Sequence, residues 1–152
     1  MNERAQPAGF RNRAMAFIID MALLTALHCG FFLTLAVALT RFPPARFTAL
    51  LAVMAAYALL FLLMPFFSAL TYCTVLHACG GQTVGKIFMD IKVVTVGGGP
   101  VPPGTAFLRW VGTIVSALPM GAGFLWAAVD RHQATWHDKL AGTMVIANEQ
   151  TA

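Results

Sequence analysis

The chain alternates long apolar runs with short polar connections, and the run lengths predict its organisation. About 20 apolar residues suffice for a transmembrane helix, and the runs at residues 13–39 and 47–78 both exceed that length. A third run, residues 107–129, is interrupted around Pro119. It predicts either a broken spanning helix or two half-helices that enter the membrane and return.

The most polar stretch separates the second and third apolar runs. β-Branched residues at 91–96, followed by three glycines, predict a short strand and a turn, although a helical start at 85–89 is equally compatible. Residues 142–147 have a second strand pattern that can pair with the first. The predicted fold is an all-α membrane protein with two transmembrane helices, a third re-entrant or spanning broken helix, and a short cytoplasmic β pairing.

These elements divide the chain into three parts. Residues 1–12 are polar and basic, and we place them in the cytoplasm or at the membrane interface. Residues 13–146 form the membrane domain, with predicted spans at about 13–39, 47–78 and 107–129. Residues 147–152 form a polar tail.

Composition agrees with a membrane location. Hydrophobic residues make up 59% of the 152 positions and charged residues only 11%, whereas a soluble domain carries roughly 25% charged residues. The chain therefore lacks the polar surface of a soluble monomer, and we expect the lipid bilayer to be its main partner. The lysines and arginines flank apolar runs rather than alternating with aromatics, which excludes a nucleic-acid partner.

The positive residues also predict an orientation, because they favour the cytoplasmic side. With the N-terminus inside, eight of the ten lysines and arginines lie inside if the third run returns, but only six if it spans. We favour the returning arrangement and leave the spanning one open. The predicted location is the inner, or plasma, membrane, as a multi-pass protein with a cytoplasmic N-terminus.

Asp20 is the unusual residue of the first apolar run. A carboxylate in a membrane helix costs about 2.5–3.5 kcal/mol on insertion scales. Arg13 shares its helix face, but seven residues give a rise of about 10.5 Å, too long for a direct ion pair. Tyr72 and Thr74 reach a similar depth on an antiparallel second helix, and Arg109 is a candidate for neutralising the charge.

Two readings of this polar cluster remain open: it fixes helix packing, or it relays a proton or cation. A further candidate member is Asp138, in the polar C-terminal region. We expect it to cap a helix start, to bond to the strand pair or to pair with Arg13 at the cytoplasmic face. The histidines and cysteines in the apolar runs do not predict a metal site, since their placement does not cluster them. We expect neither a cofactor nor a catalytic site.

The glycine-rich segment 80–86 has the spacing of a phosphate-binding loop. Ile87 occupies the position where a magnesium-binding hydroxyl is needed, and a helix rather than a strand precedes the segment. We therefore expect a helix cap and a tight turn, with Lys86 facing lipid phosphates.

Three motifs in order resemble the RDD family of bacterial membrane proteins. They are Gly9-Phe10-Arg11-Asn12-Arg13 continuing to Asp20, then Gly80-Gly81-Gln82-Thr83-Val84-Gly85-Lys86, and Trp136-His137-Asp138-Lys139-Leu140-Ala141-Gly142-Thr143. The family is named for one arginine and two aspartates. The resemblance assigns these to Arg13, Asp20 and Asp138, with Asp130 as the alternative to Asp138.

The resemblance implies a bacterial inner-membrane protein and little about activity beyond a suspected role in transport. We expect an integral membrane protein that contributes to the transport of ions or small solutes through its Arg/Asp site. A single copy has too few helices to enclose a path, so we expect a homo-oligomer or a membrane partner. The alternative is a structural or accessory protein in which Arg13 and Asp20 hold the helices together. Neither reading is enzymatic.

Overall fold

The computed structural model describes residues 6–41, 47–131 and 133–148. The predicted connection after Arg41 and the end of the predicted tail lie outside the described residues. The elements, in chain order, are α1 Phe10–Arg41, α2 Phe47–Gly80, α3 Val84–Phe88, β1 Ile91–Thr95, α4 Pro103–Ala117, α5 Ala122–Val129, α6 Trp136–Ala141 and β2 Thr143–Ala147.

The two predicted transmembrane helices are present. Both α1 and α2 are long and apolar enough to cross a membrane. Their apolar side chains are largely exposed, for example Leu33 at 67% and Leu62 at 71%. An exposed surface of this kind requires lipid or another apolar partner, so these helices identify a membrane protein. α1 begins three residues before its predicted start, because the helix already includes Phe10.

The chain forms two compact units, and α1 and α2 each contribute to both. One unit is Met21–Ala69. Within it, the ring of Phe32 packs edge-on against Tyr57 and Phe61. Ser68 Oγ lies 2.9 Å from Nε2 of His28 and donates to the backbone oxygen of Pro65 at 3.0 Å.

The other unit contains Met1–Asp20 and Leu70–Ala152. Its centre is the antiparallel sheet of β1 and β2, paired from Ile91 with Ala147 to Thr95 with Thr143. The predicted strand pairing is thus confirmed, and the predicted helical alternative near 85–89 is also present as α3. The buried apolar side chains around the sheet are Ala8, Ala16, Ile91, Val93, Val101, Ala106 and Val145.

The third apolar run forms a sharply bent helix pair. α4 and α5 meet at 96°, so the break predicted around Pro119 is present. Gly123 makes the bend possible: a Cβ at this position would lie 2.6 Å from Cα of Ser116, and only glycine allows so close an approach. β1 precedes α4 and β2 follows α6, and the two strands pair. The chain therefore comes back to the sheet after the bend.

Candidate functional site

Asp20 is buried in this unit, with 6% of its surface exposed. Its Oδ1 accepts hydrogen bonds from the hydroxyl of Tyr72 at 2.7 Å and from the backbone N–H of Gly85 at 2.8 Å. Its Oδ2 accepts from the hydroxyl of Thr83 at 2.5 Å. Three donors therefore surround the carboxylate, and both of its oxygens have a hydrogen-bond partner.

The glycine-rich segment supplies two of these donors because it turns back immediately after α2. Thr83 is the N-cap residue of α3, and Gly85 lies in its first turn. A Cβ on Gly85 would overlap the backbone oxygen of Ala16 and lie 3.0 Å from Cγ of Asp20. Glycine at this position thus allows α3 to lie directly against α1. The backbone N–H of Val84 donates to the Tyr72 hydroxyl at 3.0 Å, which orients that hydroxyl toward Asp20.

Asp138 is the centre of a second polar cluster and is fully buried. Arg13 donates to its Oδ2 at 2.9 Å, and Arg109 donates to its Oδ1. Asp138 also completes a capping box at the start of α6, since it accepts from the backbone N–H of Thr135 and its own N–H donates to the Thr135 hydroxyl. The helix-capping and Arg13-pairing geometries predicted for this aspartate occur together.

The two arginines connect α1 and α4 to the end of the sheet. Arg13 donates to the backbone oxygens of Ala8 at 2.9 Å and Val145 at 3.2 Å, in addition to Asp138. Arg109 donates to the hydroxyl of Thr143 at 2.5 Å. Burial alone would raise the pKa of Asp138, but the charges of Arg109 and Arg13 outweigh that effect and hold the pKa below its ordinary value.

Two further titratable groups lie beside these clusters. Nζ of Lys86 is 2.8 Å from Nε2 of the buried His77. The expected contact of Lys86 with lipid phosphates stays a prediction. Burial, followed by the charge of Arg109, lowers the pKa of Lys86 to about 8. The same two causes lower the pKa of His137 to about 3.

The structure corrects two predicted partners of Asp20. The side-chain hydrogen bonds of Arg109 go to Asp138 and Thr143, so Arg109 pairs with the other signature carboxylate and not with Asp20. Thr74 Oγ1 is buried and has no hydrogen-bond partner among the described residues, so it is not a ligand of the carboxylate. Tyr72 is the one predicted hydroxyl that reaches Asp20.

Sequence reasoning missed Thr83, Gly85 and Thr143. Thr83 and Gly85 belong to the glycine-rich segment 80–86, whose spacing predicts only a cap and a turn. Asp130, the alternative signature aspartate, instead pairs with the partly exposed Lys139 at 2.6 Å. Among the described residues no group of three or more histidine, cysteine or acidic side chains could hold a metal ion.

The chain was compared with protein families, curated proteins and solved structures. The model of the RDD family matches residues 7–142, which include Arg13, Asp20, Arg109 and Asp138. No curated protein and no solved structure matches the chain.

Proposed function

The chain belongs to the RDD family, and we propose that it is a bacterial inner-membrane protein that contributes to the transport of ions or small solutes. The family and the two long apolar helices support the membrane location. The proposal assigns the exchange of a proton or cation to Asp20. Arg13, Asp138 and Arg109 would hold the surrounding elements in place.

The observation that carries this proposal is the way Asp20 is held. Its three hydrogen-bond donors are two hydroxyls and one backbone N–H, and all three are uncharged. Membrane-embedded carboxylates commonly mark proton or ion pathways. A carboxylate held by neutral groups can accept a proton or cation without breaking an ion pair first, because a hydroxyl can rotate to present its lone pairs.

Asp138 is held in the opposite way. Two guanidinium groups bind it, and their charges keep its pKa low. Exchange at Asp138 would leave two buried positive charges unpaired, which is strongly unfavourable. We therefore assign Asp138 and its two arginines to assembly of the membrane domain.

The strand pairing and the charge distribution support a cytoplasmic N-terminus. Since β1 and β2 pair, we infer that both ends of the α4–α5 pair lie on one side of the membrane. That side then carries eight of the ten positive residues, in keeping with the positive-inside rule. The α4–α5 pair would be re-entrant.

One copy would supply two membrane-crossing helices and a re-entrant pair. Two helices cannot enclose a polar path, so the proposal includes a homo-oligomer or another membrane partner. The role we propose is not enzymatic.

A structural or accessory role is the second candidate. This role is favoured because both oxygens of each aspartate already have partners within the protein. Asp20 accepts three hydrogen bonds, and Asp138 pairs with two arginines. Fully satisfied buried networks make a fold more rigid. In this reading Asp20 only fixes α3 and α2 against α1.

Flux through reconstituted protein distinguishes the two candidates. The full chain in liposomes is compared with Asp20→Asn, using imposed gradients of protons, sodium or potassium. Asp90→Asn is the matched control, because Asp90 is exposed and asparagine tolerates its left-handed backbone, with a φ of 51°.

The transport proposal predicts that the wild type and the control carry flux, and that correctly folded Asp20→Asn carries at least about tenfold less. A wild type that carries no flux of any of these ions above empty liposomes, together with a destabilised Asp20→Asn, supports the structural role. Equal flux in all three proteins removes Asp20 from the transport path.

A further inference from the structure

A polar contact in the unit Met21–Ala69 involves a titratable side chain, and the proposed role of Asp20 does not use it. His28 lies on α1 and Ser68 on α2, and both side chains are only partly buried. The sequence of α2 contains no acidic residue, lysine or arginine, and that of α1 contains none between Asp20 and Arg41. Titratable residues inside membrane helices commonly mark functional sites, so His28 is a candidate for one.

The position of one hydrogen on the ring of His28 follows from its acceptor. Nδ1 lies 2.5 Å from the backbone oxygen of Leu24, one turn earlier in α1. A carbonyl oxygen can only accept a hydrogen bond, so Nδ1 must carry a hydrogen. A neutral imidazole has only one N–H. In the neutral ring Nε2 is therefore unprotonated, and it is the atom on which His28 can take up a proton.

The hydroxyl of Ser68 has two partners but only one hydrogen to give. Its Oγ lies 2.9 Å from Nε2 of His28 and 3.0 Å from the backbone oxygen of Pro65. When Nε2 is unprotonated, the hydroxyl must donate to it and cannot donate to Pro65. When Nε2 carries a proton, Nε2 donates to Oγ and the hydroxyl donates to Pro65. The partner of this one hydrogen therefore depends on the charge of His28.

Both arrangements satisfy the polar atoms of His28 and Ser68. In the neutral state Nδ1–H donates to Leu24 and the hydroxyl donates to Nε2. In the charged state each ring N–H has an oxygen acceptor, and all three contacts are hydrogen bonds at the same time. An unpaired polar group away from water is costly. Because neither state has one here, the ring can take up and release a proton without separating the two helices.

Pro65 is the place where the hydroxyl of Ser68 acts on α2. Pro65 lies inside this helix and has no backbone N–H, so the backbone oxygen of Phe61 cannot receive the ordinary helical hydrogen bond from it. Helices bend at such positions, and a serine hydroxyl that bonds back to its own helix favours bending as well. Moving the hydroxyl hydrogen between Nε2 and Pro65 therefore acts on α2 where the helix lacks a hydrogen bond.

The described residues of this unit contain three further titratable side chains, Cys29, Arg41 and Tyr57. Cys29 is exposed, and the ring of Tyr57 packs against Phe32. Arg41 is the last residue of α1, about 20 Å from His28 by the helical rise. No acidic side chain occurs among the described residues of the unit, so hydroxyl and carbonyl oxygens are the groups that stabilise a charge on His28.

We propose that His28 is a proton-binding site between α1 and α2, and that protonation of Nε2 moves the hydroxyl hydrogen of Ser68 from His28 to Pro65. The proton comes from water, and the hydroxyl keeps its own hydrogen and rotates. The net change is one positive charge on the ring. The site thereby couples proton occupancy to the bend of α2 at Pro65. This proposal does not rest on transport through Asp20, and its test measures no flux.

Nuclear magnetic resonance of the full chain in detergent micelles tests both ends of the contact. Nitrogen-15 labelling of histidine reports which ring nitrogen carries a hydrogen as the pH is lowered from about 8 to about 4, and His28→Gln identifies the signals of His28. Labelling proline carbonyls with carbon-13 and phenylalanine with nitrogen-15 selects Pro65–Phe66, the single Pro–Phe step of the sequence. The carbonyl signal of this step reports the hydrogen bond at Pro65.

At high pH the ring of His28 should carry its hydrogen on Nδ1 and none on Nε2. As the pH falls, Nε2 should gain a proton, and the Pro65 carbonyl signal should shift with the same midpoint. A hydrogen on Nε2 of the neutral ring would overturn the proposal. So would a ring that stays neutral throughout the range, or a Pro65 signal that does not follow His28. These outcomes all come from the wild type, so they decide the matter even if a variant does not fold.

Variants of Ser68 test the hydroxyl directly. Ser68→Ala should bind the proton about fivefold more weakly, because a hydrogen bond to a charged ring is stronger than one to a neutral ring, and its Pro65 signal should no longer follow the pH. Ser68→Thr keeps a hydroxyl and should behave like the wild type. Thr34→Val is the matched control, since the hydroxyl of Thr34 donates at 2.8 Å to the backbone oxygen of Gly30 within α1. Equal proton affinity of His28 in all four proteins would show that the hydroxyl of Ser68 takes no part.

Discussion

The backbone N–H of Gly85 donates a hydrogen bond to Oδ1 of Asp20 at 2.8 Å and so joins α3 to α1. The contact requires the two backbones to approach closely, since a Cβ on Gly85 would overlap the backbone oxygen of Ala16. The glycine-rich motif and the membrane aspartate are therefore two parts of one site, although 65 positions separate them in the sequence.

Replacing Gly85 by alanine should destabilise this site. The added Cβ has no room between Ala16 and Asp20, so α3 must move away and the hydrogen bond must lengthen. We expect a loss of about 1–3 kcal/mol of unfolding free energy, as for other overpacked positions. Thermal unfolding in detergent measures it. Gly104→Ala is the control, because a Cβ there meets nothing within 4 Å; equal melting temperatures for the two variants would contradict the close packing.

Removing the hydroxyl of Tyr72, which lies on α2, should also lower the stability of the site around Asp20. In Tyr72→Phe, Asp20 loses one donor and the N–H of Val84 loses its acceptor. Leaving buried polar groups unpaired costs about 1–3 kcal/mol. Tyr57→Phe is the matched control, since the ring of Tyr57 packs on Phe32 and that contact survives the change. A double-mutant cycle with Asp20→Asn should show coupling for Tyr72; additive effects would indicate that the hydroxyl and the carboxylate do not interact.

The contact between Asp20 and Tyr72 could be predicted because it depends only on helix geometry. Two antiparallel spanning helices bring residues at matching depths together, and a hydroxyl near a buried carboxylate is a natural donor. The contact with Gly85 could not be predicted in the same way, because it depends on how the chain folds back after α2. The predicted pairing of Arg109 with Asp20 is wrong, because the charges along a sequence do not reveal that Asp138 is the carboxylate within hydrogen-bonding distance of Arg109.

Neutralising Asp138 should be the most damaging single change in the domain. Asp138→Asn keeps the side-chain shape but leaves Arg13 and Arg109 close together without a counter-charge. Removing one partner of a buried ion pair lowers the free energy of unfolding by about 3–5 kcal/mol. Chemical unfolding in mixed micelles should show this loss, together with low yields of folded protein.

Asp130→Asn is the matched control for this change. Asp130 pairs with Lys139, whose side chain is 47% exposed against 12% for Asp130, and an ion pair with one partner in solvent contributes about 1 kcal/mol or less. The N–H of Ala134 also donates to Oδ2 of Asp130 at 3.1 Å, a hydrogen bond that the amide oxygen of asparagine can still accept. The control should therefore unfold nearly like the wild type. If Asp130→Asn were as damaging as Asp138→Asn, the second signature aspartate would have to be reassigned.

His137 should make the protein less stable as the pH falls below about 6.5. Burial and the nearby charge of Arg109 lower its pKa to about 3 in the folded state, whereas an unfolded histidine titrates near 6.5. Between these two pKa values the unfolded state binds more protons than the folded state. The stabilisation that comes from holding His137 neutral is therefore complete above about pH 6.5 and is lost progressively as the pH falls toward 3. His137→Gln should flatten the stability profile by up to about 1.4 kcal/mol per pH unit. Measuring only above pH 4 avoids the separate window of Asp138, whose lowered pKa matters only in stronger acid. The other histidines are present in both the wild type and His137→Gln, so their effects cancel when the two unfolding free energies are subtracted. If the unfolding free energies of the two proteins change with pH in parallel, His137 is not held neutral by its surroundings.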